Sequence, residues 1–305
     1  MSVRSIKKED LLKTLEINVK DFECGDIKVL IPQIIKGPVK KDFTPRTVIN
    51  IGKLIKEGKN SQDSGFDEVL EQFAKYISKK VEQELLYINS QKDFDIFHND
   101  LCEKFLELFG NKKRQVKNVK ISDIQYGKAQ KVVNMFFNYF FLLYGNDGNN
   151  NYVDDKYDNI YQYCHMPLDS FTLNWVKYVV CDTKDNENGD VSKKIKDVIN
   201  KTSWSNLCPE DYKSIQHAIR KFLKEQHEKD KENAFLPKEP FYAEFYIWRE
   251  EQLYESLKTI STEDFKWAIA KDYNINKELK EIQGKIKDII EKMDSYKGSR
   301  KNKKN

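Results

Sequence analysis

Apolar residues recur every three or four positions along most of this chain, which is the spacing of an amphipathic α-helix. The clearest series is Phe66, Val69, Leu70, Phe73, Tyr76, Ile77, Val81 and Leu85. Similar series follow over 96–108 and 212–222, and Pro209 and Pro240 stand where a helix can begin. The pattern therefore predicts an all-α, mainly helical fold.

The organisation of the chain follows from the few segments that break this pattern. A short strand over 27–31 is an open alternative near the N-terminus, and the Asn-, Asp- and Gly-rich stretch 145–159 is predicted to be a loop. The sequence has no repeat of fixed period. We expect one compact helical unit over 1–278, with two lobes and a cleft around 121–180. A charged helix and a basic tail are expected over 279–305.

Composition supports a globular, cytoplasmic protein. The 305 residues include 18 Phe, 16 Tyr and 4 Trp, which are enough to build a core. No apolar run approaches the roughly 20 residues of a membrane helix, and the N-terminus has no apolar signal-peptide core. The five cysteines are scattered without a CxxC pair, which favours a reducing compartment and argues against a zinc site. We expect no cofactor, no metal and no membrane.

The charge balance says little about partners. The chain has 53 basic and 49 acidic residues, a net charge of +4. Two basic clusters, at 112–120 and 297–305, could neutralise phosphates. For each cluster taken alone, a solvated loop or a frayed tail is the favoured explanation.

The segment 121–175 holds the most chemistry. Residues 122–125, Ser-Asp-Ile-Gln, form a capping-box pattern that predicts a helix from about Asp123. On that helix Lys128 shares a face with Val132, Met135 and Tyr139. An amine on an apolar face can be desolvated, which lowers its pKa and favours the nucleophilic form, although a lysine with its head in water is the commoner case. Lys131 could exchange roles with Lys128.

Asp169 stands where a helix N-cap belongs. Pro167 disfavours helix at Met166, and the apolar-rich run FTLNWVKYVV begins at residue 171. An N-cap aspartate is a structural residue in most proteins. The same position also keeps a carboxylate ionised next to backbone N–H donors.

Two of these patterns together resemble the core of the helix-hairpin-helix DNA glycosylases. They are Gly127-Lys128-Ala129 with two following valines at the start of a helix, and the Pro-x-Asp cap at 167–169 after a long loop. The layout is most similar to archaeal 8-oxoguanine glycosylases and their bacterial relatives, some of which act against phage. The chain departs from the family in having a single glycine near the hairpin and no iron–sulfur cysteine cluster.

The resemblance implies an enzyme that flips a damaged or modified base out of double-stranded DNA and cleaves its N-glycosidic bond. It implies that Lys128 forms a Schiff base, with strand cleavage by β-elimination, and that Asp169 stabilises the charge on the sugar. Without lysine attack, Asp169 would instead activate water. The expected contacts to the base or the DNA are Gly127, Lys131, Tyr139, His165, Trp175, Glu244 and Trp248.

Structural readings of the same residues stay open. Aromatic residues at helical spacing are more often core, His165 can be a structural loop residue, and Glu244 can face either the interior or solvent. The alternative function is a non-enzymatic helical module that binds nucleic acid or protein. A metal-dependent nuclease is a further alternative, but no tight group of carboxylates supports it. Convergence of Lys128 and Asp169 on one cleft would favour the enzyme.

Overall fold

The computed structural model describes residues 8–15, 17–41, 65–115, 125–145, 156–182, 189–229 and 236–248. These ranges contain helices, turns and connecting segments but no strand, so the predicted all-α fold is confirmed. The alternative of a strand over 27–31 is wrong. Asp26 caps a helix there by accepting a hydrogen bond from the backbone N–H of Lys28 at 2.8 Å.

Within the described ranges the helices follow one another without a sheet between them. Their bounds are α1 Lys8–Thr14, α2 Ile27–Ile34, α3 Gly65–Glu84, α4 Gln91–Gln115, α5 Tyr126–Leu143, α6 Ser170–Tyr178, α7 Gly189–Lys201, α8 Pro209–Lys229 and α9 over 240–248. The apolar series of the sequence thus predicted α3, α4 and α8, and the two prolines marked the starts of α8 and α9.

Helix α5 is the centre of the fold. It packs against α1, α2, α4 and α8, and against the short turn Trp204–Asn206 that precedes α8. Apolar or aromatic side chains cover nearly all of its circumference, which is the pattern of a helix buried on every side. Any polar residue on α5 therefore lies close to the core.

The start of α5 differs from the prediction. Gln125 is extended, with φ −85° and ψ 162°, and the helix begins at Tyr126 rather than near Asp123. The ring of Tyr126 packs on Tyr212 of α8 at 5.5 Å, and the backbone N–H of Gly127 donates to the carbonyl of Leu207 at 3.0 Å. These contacts with distant residues set the start of the helix, while residues 121–124 lie outside the described ranges.

Several predictions concern parts of the chain that the structure describes only in part. Residues 112–115 belong to the end of α4, whereas 116–120 and 279–305 lie outside the described ranges. All five cysteines are free thiols. None of the helices in the described ranges combines the length and apolar character that a membrane span requires.

Candidate active site

A polar stripe runs along the buried helix α5. Gln130, Asn134 and Asn138 lie at intervals of four residues, so they share one face, and all three are buried. Burying an amide costs free energy unless it is hydrogen-bonded. The hydrogen-bond partners of these three amides therefore show which other segments α5 holds in place.

Lys131, next to the stripe, forms an ion pair with Asp169. Lys131 Nζ lies 3.3 Å from Asp169 Oδ2, and the two side chains are only 16% and 13% exposed. The ammonium group also lies over the ring of Trp204, 5.0 Å from its centroid. An amine and a carboxylate thus meet at a largely enclosed point beside an aromatic face.

Asp169 is held rigidly by the start of α6. Its Oδ1 accepts hydrogen bonds from the backbone N–H groups of Phe171 and Thr172, at 2.9 and 3.1 Å. Its own N–H donates to Thr172 Oγ1 at 2.8 Å, which completes a capping box. One carboxylate oxygen therefore caps the helix and the other faces Lys131.

Two glutamines hold the extended segment that leads to Asp169. Gln130 accepts from the N–H of Leu168 at 3.2 Å and donates to its carbonyl at 2.8 Å. Gln216 of α8 makes the same pair of bonds to Met166, at 3.3 and 2.6 Å. The amide side chains replace the backbone partners that a strand would have, so α5 and α8 together determine where Asp169 lies.

The hydrogen bonds of the stripe also fix the positions of protons. Because Gln130 Oε1 accepts from a backbone N–H, the Asn134 group that faces it at 2.9 Å is the donor Nδ2. Asn134 Nδ2 also donates to the hydroxyl of Tyr212 at 2.9 Å. Asn134 Oδ1 must then accept from Nε2–H of His98 at 3.0 Å.

His165 continues this chain of bonds towards the surface. Its Nε2 lies 2.8 Å from the Asp95 carboxylate and donates to it, so its Nδ1 accepts from the hydroxyl of Tyr212 at 2.8 Å. Both ring nitrogens are engaged and the residue is 5% exposed. The ring of His165 is therefore bonded within the protein, to Asp95 and Tyr212, and it helps to hold the segment that leads to Asp169.

Acid is expected to weaken the fold through His165. Burial lowers its pKa to about 4, although the hydrogen bond to Asp95 opposes the shift, and burial also lowers the pKa of His98. In the unfolded chain a histidine has a pKa of about 6.5, so the stability contributed by a neutral His165 is present above pH 6.5. It is lost as the pH falls towards 4, by about 2 kcal/mol between pH 7 and pH 5.

Urea denaturation at pH 7 and pH 5 measures this loss. His165→Gln should reduce the difference between the two pH values, whereas His217→Gln, at an exposed ring of α8, is the matched control and should not. An equal difference in both variants would show that His165 does not carry the effect.

Gly127 serves helix packing. A Cβ at this position would overlap the backbone carbonyl oxygen of Trp204. The absence of a side chain lets the first turn of α5 touch the 204–206 turn, and this approach brings the Trp204 ring to Lys131.

The other predicted site residues lie in different surroundings. Lys128 is half-buried and desolvation lowers the pKa of its amine, but the ion pair of Asp169 is with Lys131. The buried Trp175 makes an edge contact with Phe222 of α8, with ring centroids 5.8 Å apart. Tyr139 is buried in the core, and Trp248 is half-buried at the end of α9.

Glu244 of α9 is the second buried carboxyl group near the ion pair. It is 7% exposed, and its Oε2 accepts a hydrogen bond from Asn138 Nδ2 at 2.7 Å. Burial raises the pKa of Glu244 to about 8; Asn138 and Lys131 oppose this shift and Asp169 adds to it. The carboxyl is therefore mostly neutral at pH 7.

Four residues of this site were not among the predicted ones. They are Gln130, Asn134, Asn138 and Trp204. The first three carry a visible signal, because amides spaced by four residues in an otherwise apolar helix must find buried partners. Trp204 carries none, since its approach to α5 depends on Gly127.

Comparison with protein-family models, with curated proteins and with solved structures finds no match.

Proposed function

We propose that this chain is a DNA glycosylase with lyase activity, in which Lys131 and Asp169 are the reacting residues. The observation that carries the proposal is the enclosed ion pair, with Lys131 Nζ and Asp169 Oδ2 3.3 Å apart. The two motifs, a lysine at the start of a helix and a later Pro-x-Asp cap, occur in the order that resembles the helix-hairpin-helix glycosylases. The proposed nucleophile is Lys131, about one helical turn after Lys128.

The carboxylate suits two parts of the reaction. Breaking an N-glycosidic bond builds positive charge on the sugar, and a fixed negative charge stabilises that charge without reorganisation. Asp169 is fixed by two backbone N–H groups at the start of α6. Its Oδ2 can also take a proton from Lys131 when substrate excludes water.

The amine provides the covalent step. In this mechanism the C1′–N bond of the flipped nucleotide breaks and its electron pair leaves with the base, while the Asp169 carboxylate stabilises the charge on the sugar. Lys131 Nζ then passes a proton to Asp169 and forms a bond to C1′. Opening of the C1′–O4′ bond gives a protonated imine, and loss of a C2′ proton then expels the 3′-phosphate by β-elimination. If the amine does not reach C1′, Asp169 activates a water instead, and an abasic site remains.

The test uses duplexes that carry normal, damaged and phage-modified bases, together with a duplex that carries an abasic site. Excision is measured by alkaline cleavage, and covalent chemistry by borohydride trapping. The wild type should give alkali-labile sites and a trapped adduct. Asp169→Asn should reduce both by about 100-fold or more, because the charge is lost.

Asparagine is the matched substitution here, because it caps a helix almost as well as aspartate and so preserves the start of α6. A thermal melt close to that of the wild type confirms that the variant is folded. Wild-type protein that gives neither abasic sites nor adduct would contradict the proposal. It would favour a non-enzymatic helical binding module in which Asp169 is only a helix cap.

A further inference from the structure

Asn138 lies on the same face of α5 as Lys131, and it is hydrogen-bonded to Glu244 of α9. Asn138 follows Lys131 by seven residues, which is two helical turns or about 10 Å along the axis. Met135 lies between them, half-buried, with its sulfur 3.9 Å from Asn138 Nδ2. Glu244 is close enough for the charges of Asp169 and Lys131 to affect its pKa. The separation of Lys131 and Asn138 along α5 is comparable to the length of a nucleoside. A nucleoside whose sugar contacts Lys131 could therefore place its base near Glu244.

In each of the side chains Glu244 and Asn138, one polar atom is hydrogen-bonded to a described residue and the other is not. Glu244 Oε2 accepts from Asn138, while its Oε1 takes part in no hydrogen bond with the described residues. Asn138 Oδ1 is enclosed and has no hydrogen-bond partner among the residues that the structure describes. Because Oε2 is already an acceptor, the proton of the neutral carboxyl belongs on Oε1. Oε1 can therefore donate a hydrogen bond.

We propose that Glu244 contacts the flipped base and donates a hydrogen bond from Oε1 to a carbonyl oxygen at the outer edge of that base. This inference rests on the proposed glycosylase function and names its substrate class as keto-bearing bases. Asn138 is a positioning residue, because its amide holds Oε2 and so leaves Oε1 for the base.

The pH dependence follows from the groups that face Glu244, which are Asn138 and Lys131 of α5 and Asp169 at the start of α6. Below about pH 8 the carboxyl is neutral and can donate. Above that pH it ionises, and a carboxylate repels a carbonyl oxygen. Base excision should therefore decline above pH 8 relative to cleavage of a ready-made abasic site, which needs Lys131 but has no base to contact.

The experiment compares wild type, Glu244→Gln and Glu244→Leu on duplexes containing uracil, 8-oxoguanine or another keto base, and on an abasic-site duplex. Glutamine keeps an acceptor for Asn138 and a donor for the base at every pH. Glu244→Gln should retain excision and lose the decline above pH 8. Glu244→Leu should lose about 100-fold in excision, because an unpaired carbonyl is costly. It should cleave the abasic duplex within about threefold of the wild-type rate.

Three results with the variants would overturn this inference. They are excision by Glu244→Leu at the wild-type rate, an equal loss on the abasic duplex, and the same alkaline decline in Glu244→Gln. Wild-type protein that traps the abasic duplex but excises no keto base also overturns it, while leaving the lysine chemistry intact. Wild-type protein that does neither overturns the proposed function, and this inference falls with it.

Discussion

Lys131→Gln is expected to abolish the borohydride-trapped adduct and to reduce strand cleavage by at least about a thousandfold, because the variant lacks the amine proposed to attack C1′. Lys128→Gln is the matched control. It removes a half-buried lysine from the same turn of α5, yet it leaves the ion pair with Asp169 in place. Trapping on an abasic-site duplex, followed by gel electrophoresis, measures both variants.

Lys131→Arg separates chemistry from charge. Removing Lys131 leaves the Asp169 carboxylate enclosed without its partner, which can destabilise the fold by itself. Arginine keeps the positive charge beside Asp169 but stays protonated, so it cannot act as a nucleophile. Loss of trapping in both variants, with melting temperatures near that of the wild type, supports the assignment. Full trapping by Lys131→Arg, or its loss in Lys128→Gln alone, would contradict it.

Asn134→Ala is expected to have the largest effect on stability, a loss of about 4 kcal/mol in the free energy of unfolding. The amide of Asn134 donates to Gln130 and Tyr212 and accepts from His98, so its removal leaves three buried polar groups short of a partner. It also opens a small cavity inside α5. Urea denaturation at pH 7.5 measures the loss.

Asn159→Ala is the control for this experiment, because Asn159 is exposed in a short turn and its removal should change stability by less than about 0.5 kcal/mol. The loss in Asn134→Ala should also lower catalytic activity, since Gln130 helps to hold the segment before Asp169. A loss under about 1 kcal/mol would mean that the chain of hydrogen bonds through Asn134 contributes little to the fold.

The local sequence pattern was sufficient to predict several of the helices and the N-cap position of Asp169. The 3.6-residue period marked α3, α4 and α8, and Pro167 followed by Asp169 marked the capped start of α6. It was insufficient over 27–31, because a short apolar run has the same appearance in a buried strand and a buried helix. The cap at Asp26 and the continuation of the helix to Ile34 decide that case.

The choice between the two lysines could not be made from the sequence. Lys128 and Lys131 are three residues apart and lie on adjoining parts of the helix surface. Which one faces Asp169 depends on where α5 begins and how it is rotated. Both are set by the contact of Gly127 with Trp204 and Leu207, nearly 80 positions along the chain.

The buried hydrogen bonds along α5 could not be predicted from the sequence for the same reason. The spacing of Gln130, Asn134 and Asn138 shows that α5 needs polar partners, but those partners come from other parts of the chain. His98 lies on α4, Tyr212 on α8 and Glu244 on α9. Only the packing of these helices around α5 shows which groups meet.

The most direct test of the central claim is to map the adduct. Wild-type protein is trapped with borohydride on an abasic-site duplex, the DNA and protein are digested, and mass spectrometry locates the residue that carries the reduced sugar. The structure predicts that this residue is Lys131. A modification on Lys128 or on another amine, or no adduct at all, would contradict the assignment of Lys131 and Asp169 as the reacting pair.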